Sequence, residues 1–241
     1  MLNVNMVIHG QGHPLVLFHG WGFDVHIWSP LLSVLTSQYQ ICLVDLPGFG
    51  LTEPMAWDVF EATLLEQLPA RFALAGWSMG GLLATRLAID ARDRVSHLVN
   101  IASSPRFIRE KHWPGVDGQL FNVFYDDLLN HPQQTLEQFI TLQFQSALIP
   151  PVVLGHLPSL SGLRSGLDVL LNWDLRDSLA QLNMPVYYMF GRLDVIMPRR
   201  TMIIMQAMYP QFHYIQFSKA AHAPFLSHPE QFMAALGEFL Q

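Results

Sequence analysis

Ser78 stands in Gly76-Trp77-Ser78-Met79-Gly80-Gly81, a serine between glycines in the pattern Gly-x-Ser-x-Gly. The apolar run Arg71-Phe72-Ala73-Leu74-Ala75 precedes it, and the helix-like run Leu82-Leu83-Ala84-Thr85-Arg86-Leu87-Ala88 follows. A strand, a sharp turn and a helix are what a nucleophile elbow requires. Glycines, having no Cβ, let strand and helix approach closely around a strained serine. The serine oxygen then stands exposed at a helix N-terminus, whose partial positive charge favours a developing anion. A serine hydroxyl is a weak nucleophile until a base takes its proton, and histidine, with an ordinary pKa near neutrality, suits that task. His222, in Ala220-Ala221-His222-Ala223-Pro224-Phe225, follows a late apolar run and sits among small residues that leave room for the ring. Asp194, in Gly191-Arg192-Leu193-Asp194-Val195-Ile196-Met197-Pro198, follows another such run. It is the candidate carboxylate to fix the tautomer of His222 and stabilise its charged form.

Acyl transfer through such a serine also needs donors for the oxyanion. The backbone N–H of Met79, next after the nucleophile, is one candidate. The loop Phe18-His19-Gly20-Trp21-Gly22 offers the other, the Trp21 N–H, with a glycine on each side to let the backbone turn inward. His19 precedes the glycine turn and is expected to brace that loop by hydrogen bonding. Asp45, in Asp45-Leu46-Pro47-Gly48-Phe49-Gly50, precedes Ser78 in the chain and is expected to be structural. The eleven histidines are scattered, and neither paired cysteines nor His-Glu-x-x-His spacing is present. No metal site, nucleotide loop or other cofactor is therefore expected.

These residues need a frame to bring them together. Short apolar runs at 15–18, 41–44, 72–75, 98–101, 186–190 and 214–217 read as buried strands. Helices are expected at 58–68, 79–89, 199–208 and 229–240. The alternation predicts a mostly parallel sheet with helices on both faces, and a site beyond the carboxyl ends of its strands. Residues 106–173 break the rhythm with helix-like stretches at 121–129 and 134–148, a less clear one at 154–171, and proline-rich connections. They read as a helical lid inserted between two parts of one core, 1–105 and 174–241.

Of the 241 residues, 51% are hydrophobic and 13% charged, which fits one large core. The net charge of −6 argues against nucleic-acid binding. The single cysteine, Cys42, lies in an apolar run and forms no internal disulfide, which is compatible with a reducing compartment. No secretory leader is expected from the N-terminal residues, so a cytoplasmic location is. Residues 138–163 contain no Asp, Glu, Lys or Arg, yet their prolines and glutamines make a poor membrane-spanning helix. The segment is expected to line something apolar in a soluble protein. Nothing locates an oligomer interface, and a monomer is expected.

The order Ser78, Asp194, His222 is that of the α/β-hydrolases. The four motifs above resemble that superfamily and, within it, the carboxylesterases of biotin synthesis that demethylate pimeloyl-[acyl-carrier protein] methyl ester. Ala102-Ser103-Ser104-Pro105, His112-Trp113-Pro114-Gly115 and Asp174-Leu175-Arg176 add to the likeness, which runs along nearly the whole chain and is weakest in the lid. The resemblance implies a serine esterase that frees a terminal carboxylate, with a small-molecule ester or an acyl-carrier protein bearing it as partner. It also implies substrate contacts from Trp21, Ser78, Met79, Phe139, Gln143 and His222. An apolar lid suits a methylene chain. Attraction to an acidic carrier is expected to be weak there: between 106 and 173 the cations are Arg106, Arg109, Lys111 and Arg164, against six acidic residues. Gln138 stands where such enzymes carry a basic residue. A general short-acyl esterase, a lactonase or a thioesterase would use the same triad, and a non-catalytic binding protein on this fold would need none of it.

Overall fold

The computed structural model describes residues 3–143 and 154–241. In chain order the elements are β1 (Met6–His9), β2 (His13–Phe18), a 3-10 helix (Val25–Leu31), α1 (Leu32–Leu35) and β3 (Tyr39–Val44). Then come α2 (Trp57–Gln67), β4 (Phe72–Trp77), α3 (Met79–Asp90) and β5 (Val95–Ile101). Three helices follow, α4 (Gly118–Asn130), α5 (Pro132–Gln143) and α6 (Leu160–Asn172). The chain closes with α7 (Arg176–Leu179), β6 (Val186–Gly191), α8 (Arg199–Met208), β7 (His213–Phe217), α9 (Pro224–Ser227) and α10 (Pro229–Phe239).

The strands make one seven-stranded sheet in the order β1-β3-β2-β4-β5-β6-β7. All neighbours are parallel except β1, which runs antiparallel to β3 at the edge. The central strands alternate between two cores. Val16, Phe18, Phe72 and Leu74 face one, while Leu15, Leu17, Ala73, Ala75 and Trp77 face the other. Burial on both faces is why these strands read as unbroken apolar runs. Each of the six expected strands lies in an observed one. β1 was not expected, because a four-residue, half-buried edge strand carries no such run. The expected helix 134–148 is α5 as far as Gln143, and its remainder lies outside the described residues. The unclear stretch 154–171 contains α6, capped by Ser159, whose hydroxyl accepts from the Gly162 N–H.

Connectivity decides where a site can form. The chain passes from β3 across β2 to β4, so the loops after β2 and β4 lie side by side, in register at Phe18 and Gly76. The segment between β5 and β6 carries α4, α5 and α6, and the Leu163 carbonyl of α6 accepts from the indole N–H of Trp21 in the loop after β2. Its seam with the core is tight. A Cβ on Gly48, which has φ +82°, would fall 2.3 Å from the Gly162 Cα of α6. The segment is also tied down at His156, whose N–H donates to the buried Asp24 carboxylate at 2.8 Å. No helix among the described residues is long and apolar enough to cross a membrane.

Candidate active site

Ser78 lies between the central strand β4 and α3, as the residue before the helix, with φ 56° and ψ −119°. A non-glycine residue holds such a conformation only where its surroundings impose it. Here they do. The Ser78 N–H donates to the Ile101 carbonyl at 2.8 Å, and the Ser103 hydroxyl donates to the Ser78 carbonyl at 2.8 Å. The glycines act as the sequence suggested. A Cβ on Gly76 would sit 2.2 Å from the Gly80 carbonyl oxygen, and one on Gly80 would sit 2.3 Å from the His19 oxygen. The elbow is thus packed backbone to backbone against the loop after β2.

Asp194 follows β6 and His222 follows β7, and the two meet. His222 Nδ1 lies 2.7 Å from Asp194 Oδ2. The other carboxylate oxygen accepts from the Ile196 N–H at 2.8 Å and the Met197 N–H at 2.9 Å. A carboxylate only accepts, so Nδ1 carries the proton and Nε2 keeps a lone pair. That Nε2 is buried with no hydrogen-bond partner among the described residues. Buried acceptors are normally satisfied, and this open one belongs to a ring that packs 5.7 Å, centre to centre, from Trp77, the residue before Ser78. The His222 loop is held from two sides. Trp77 Nε1–H donates to the His222 carbonyl at 2.8 Å, and a Cβ on Gly191 would fall 1.9 Å from the Ala221 oxygen. Trp77, next to Ser78, is therefore a structural bridge between the elbow and the His222 loop.

Trp21 and Met79 are neighbours under the helical segment. A Cβ on Gly166 of α6 would meet Trp21 Cδ1 at 2.7 Å and Met79 Sδ at 2.9 Å. The Trp21 indole N–H donates to the Leu163 carbonyl of α6 at 2.8 Å. His19 braces this loop as expected: Nδ1 donates to the Gly20 carbonyl at 2.8 Å and Nε2 accepts from the Leu46 N–H at 3.0 Å. Complete burial pushes its pKa below the ordinary histidine value, against the opposing influence of the Gly20 carbonyl and of Asp45. Asp45 is likewise structural. It accepts from the Asn5 side chain at 2.7 Å and from the Leu51 and Val25 N–H groups.

Ser78 and Trp21 form part of the wall of an apolar cavity of about 390 Å³, within the range of about 300–1,000 Å³ common for small-molecule sites. Phe139 lines it, in edge contact with Trp21 at 5.0 Å between ring centres. Phe124, Leu167 and Leu170 line it too, and exposed Leu120, Leu142 and Val195 mark its mouth. Gln143 does not reach the wall. It is buried at the end of α5, and its side-chain amide donates to the Phe139 carbonyl at 3.3 Å. Sequence reasoning missed Phe107, Phe121, Leu167, Leu170 and Ile196 as wall residues. The three-residue spacing of Leu167 and Leu170 signals one helix face, but not what that face looks onto. Among the described residues no cluster of His, Cys, Asp and Glu could hold a metal ion. Cys42 is buried, and burial pushes its thiol up, away from reactivity.

This elbow, carboxylate-bound histidine and sheet topology define a class, and residues 15–235 match the model of the alpha/beta hydrolase family. The chain belongs to that family. It is 52% identical over 240 residues to the pimeloyl-[acyl-carrier protein] methyl ester esterase of Legionella pneumophila (strain Lens), covering 100% of both chains. It is 41% identical to the protein of the same name from Aliivibrio salmonicida, covering 96% of this chain and 94% of that one. Among solved structures it superposes on a bromoperoxidase from Bacillus anthracis with a TM-score of 0.86, at 23% identity over 98% of this chain and 95% of that one. At that identity the last match speaks for the fold.

Proposed function

We propose that the chain is a serine carboxylesterase that hydrolyses the methyl ester of pimeloyl-[acyl-carrier protein] to the free acid and methanol. The observation that carries this is a serine in a strained elbow, beside a carboxylate-bound histidine with a free Nε2, at the wall of an uncharged aromatic cavity. The name shared by the relatives supports the particular ester.

In this reading His222 Nε2 takes the Ser78 hydroxyl proton as Oγ attacks the ester carbonyl carbon. The Trp21 and Met79 backbone N–H groups hold the oxyanion of the tetrahedral intermediate. The carbon–methoxy bond breaks, and methanol leaves with the proton from His222. Water then attacks the acyl-enzyme, giving its proton to His222, which passes it to Ser78 Oγ as that bond breaks and the acid is released. Asp194 orients the imidazole and stabilises its charged form throughout. No cofactor takes part, and one copy of the chain carries the whole triad, so a monomer suffices. Residues 106–173 serve as a lid over the core parts 1–105 and 174–241, and Gln143 acts by holding Phe139 in the cavity wall. About five methylenes at about 0.8 kcal/mol each contribute about 4 kcal/mol of binding there. The reading places the enzyme in the cytoplasm, where carrier-bound acyl chains are made.

The test is methanol release from methyl pimeloyl-[acyl-carrier protein], beside free dimethyl pimelate, a lactone and a thioester panel, with Ser78→Ala as control. Turnover that prefers the carrier-bound methyl ester and falls by several orders of magnitude in Ser78→Ala supports the reading. Equal turnover of thioesters or lactones would make it a different hydrolase, and activity surviving in Ser78→Ala would remove the mechanism.

A further inference from the structure

The helices over the cavity are poor in positive charge. α4, α5 and α6 carry one cation, Arg164, against Asp126, Asp127, Glu137 and Asp168. Arg106, on the approach to these helices, is already engaged by Glu110 at 3.2 Å and by the Leu171 carbonyl at 2.7 Å. Other cations gather elsewhere, around a polar groove of about 330 Å³ lined by Lys111, Arg200 and Arg109, the last paired with Asp117 at 3.4 Å. Lys111 and Arg200 are exposed and have no ion-pair partner among the described residues, and the same holds for adjacent Arg199. The acid of this groove, Glu110, is neutralised by Arg106 and Arg176.

Two features suggest that these cations await an anion from outside. Arg199 and Arg200 open α8, whose first turn has no acidic residue. A helix N-terminus already carries partial positive charge, so cations there are disfavoured unless an anion meets them. Further, the groove adjoins the cavity through shared segments. Phe107 and Val116, linked by a 2.8 Å hydrogen bond, form cavity wall, while the turn between them lines the groove. Ile196 lines the cavity, and Pro198 and Arg200, just beyond it, line the groove.

We infer that this groove, between the 109–115 turn and the start of α8, is where the acidic surface of the acyl-carrier protein docks, with its acyl arm entering the neighbouring cavity. The inference rests on the carrier-ester reading above. In a chain of net charge −6 it is a concentrated positive patch beside the cavity, and charge complementarity acts on encounter and orientation.

The experiment compares kcat/KM for methyl pimeloyl-[acyl-carrier protein] with that for free dimethyl pimelate, in the wild type, in Lys111→Glu/Arg200→Glu and in Arg164→Glu. The expected result is a carrier-to-free ratio lowered roughly tenfold or more in the groove variant and within about twofold of wild type in Arg164→Glu. The wild-type ratio should also fall with added salt, as the Debye length shortens from about 10 Å at 0.1 M to about 3 Å at 1 M, and the groove variant should lose that dependence. A groove variant with the wild-type ratio overturns the inference and leaves the carrier-ester reading standing. A drop in Arg164→Glu alone places the carrier over α6 instead, and also overturns it. A wild type that hydrolyses the free ester and ignores the carrier-bound one overturns both.

Discussion

Asp194→Asn separates the two tasks of the carboxylate. Oδ1 accepts two backbone N–H groups, from Ile196 and Met197, while Oδ2 faces His222 Nδ1 at 2.7 Å. In the asparagine variant the amide oxygen keeps the two backbone bonds, which turns the NH₂ toward His222. Two donors cannot face each other, so Nδ1 must become the acceptor and Nε2 must carry the proton. An Nε2 that holds a proton cannot take one from Ser78. The comparable change in a serine protease triad lowers kcat about 10⁴-fold, or about 5.5 kcal/mol of barrier at about 1.4 kcal/mol per tenfold. Stability should hardly move, because the backbone bonds survive. Asp194→Ala should lose activity too, and it also leaves the buried Met197 N–H unpaired, at about 1–3 kcal/mol. In a chain of this size that lowers Tm by about 2–4 °C per kcal/mol. The assay is ester turnover with fluorophosphonate labelling, alongside thermal unfolding. An Asn variant keeping more than about a tenth of wild-type kcat, or melting as low as the Ala variant, would refute this account.

Gly48→Ala should break the seam between core and helical segment. Its φ is +82° and the added Cβ would lie 2.3 Å from the Gly162 Cα, and neither backbone can yield. A loss of about 1–3 kcal/mol is expected, read as a fall in Tm, and an unchanged Tm would contradict the packing. His19 makes stability depend on pH. Its folded pKa lies below the ordinary value, so as pH falls below about 6.5 the unfolded state takes up the proton first and stability is lost. Denaturant unfolding between neutral and mildly acid pH should show a shallower slope for His19→Gln than for wild type, whatever its absolute stability. Phe139→Ala removes a ring that lines the cavity and packs on Trp21 and Phe124. The preference for a long over a short methyl ester should fall about tenfold, or about 1.4 kcal/mol, and a preference that stays constant would move the acyl chain elsewhere.

The amino-acid sequence by itself determined the parts that are local. Six strands were legible because burial on both faces leaves continuous apolar runs, and Gly76, Gly80 and Gly81 were legible because a tight elbow excludes any side chain there. Ser78, Asp194 and His222 each follow a strand, and parallel strands bring their carboxyl ends to one edge, which is why one shared site was expected of them. The structural parts for His19 and Asp45 followed from their positions in the loops, and both hold. What only the tertiary structure decided depends on neighbours far apart in the chain. β1 is a strand only because β3 offers it an edge. Gln143 looked like a substrate contact, and the turn of α5 points its amide back to the Phe139 carbonyl instead. The fold brought Glu110 and the Leu171 carbonyl to Arg106 and Asp117 to Arg109, whereas Lys111 and Arg200, 89 positions apart, came to share one groove. A side chain's type and its local period set which face of an element it occupies. Whether that face meets water, substrate or an opposite charge is fixed by long-range packing, and no short window of sequence contains it.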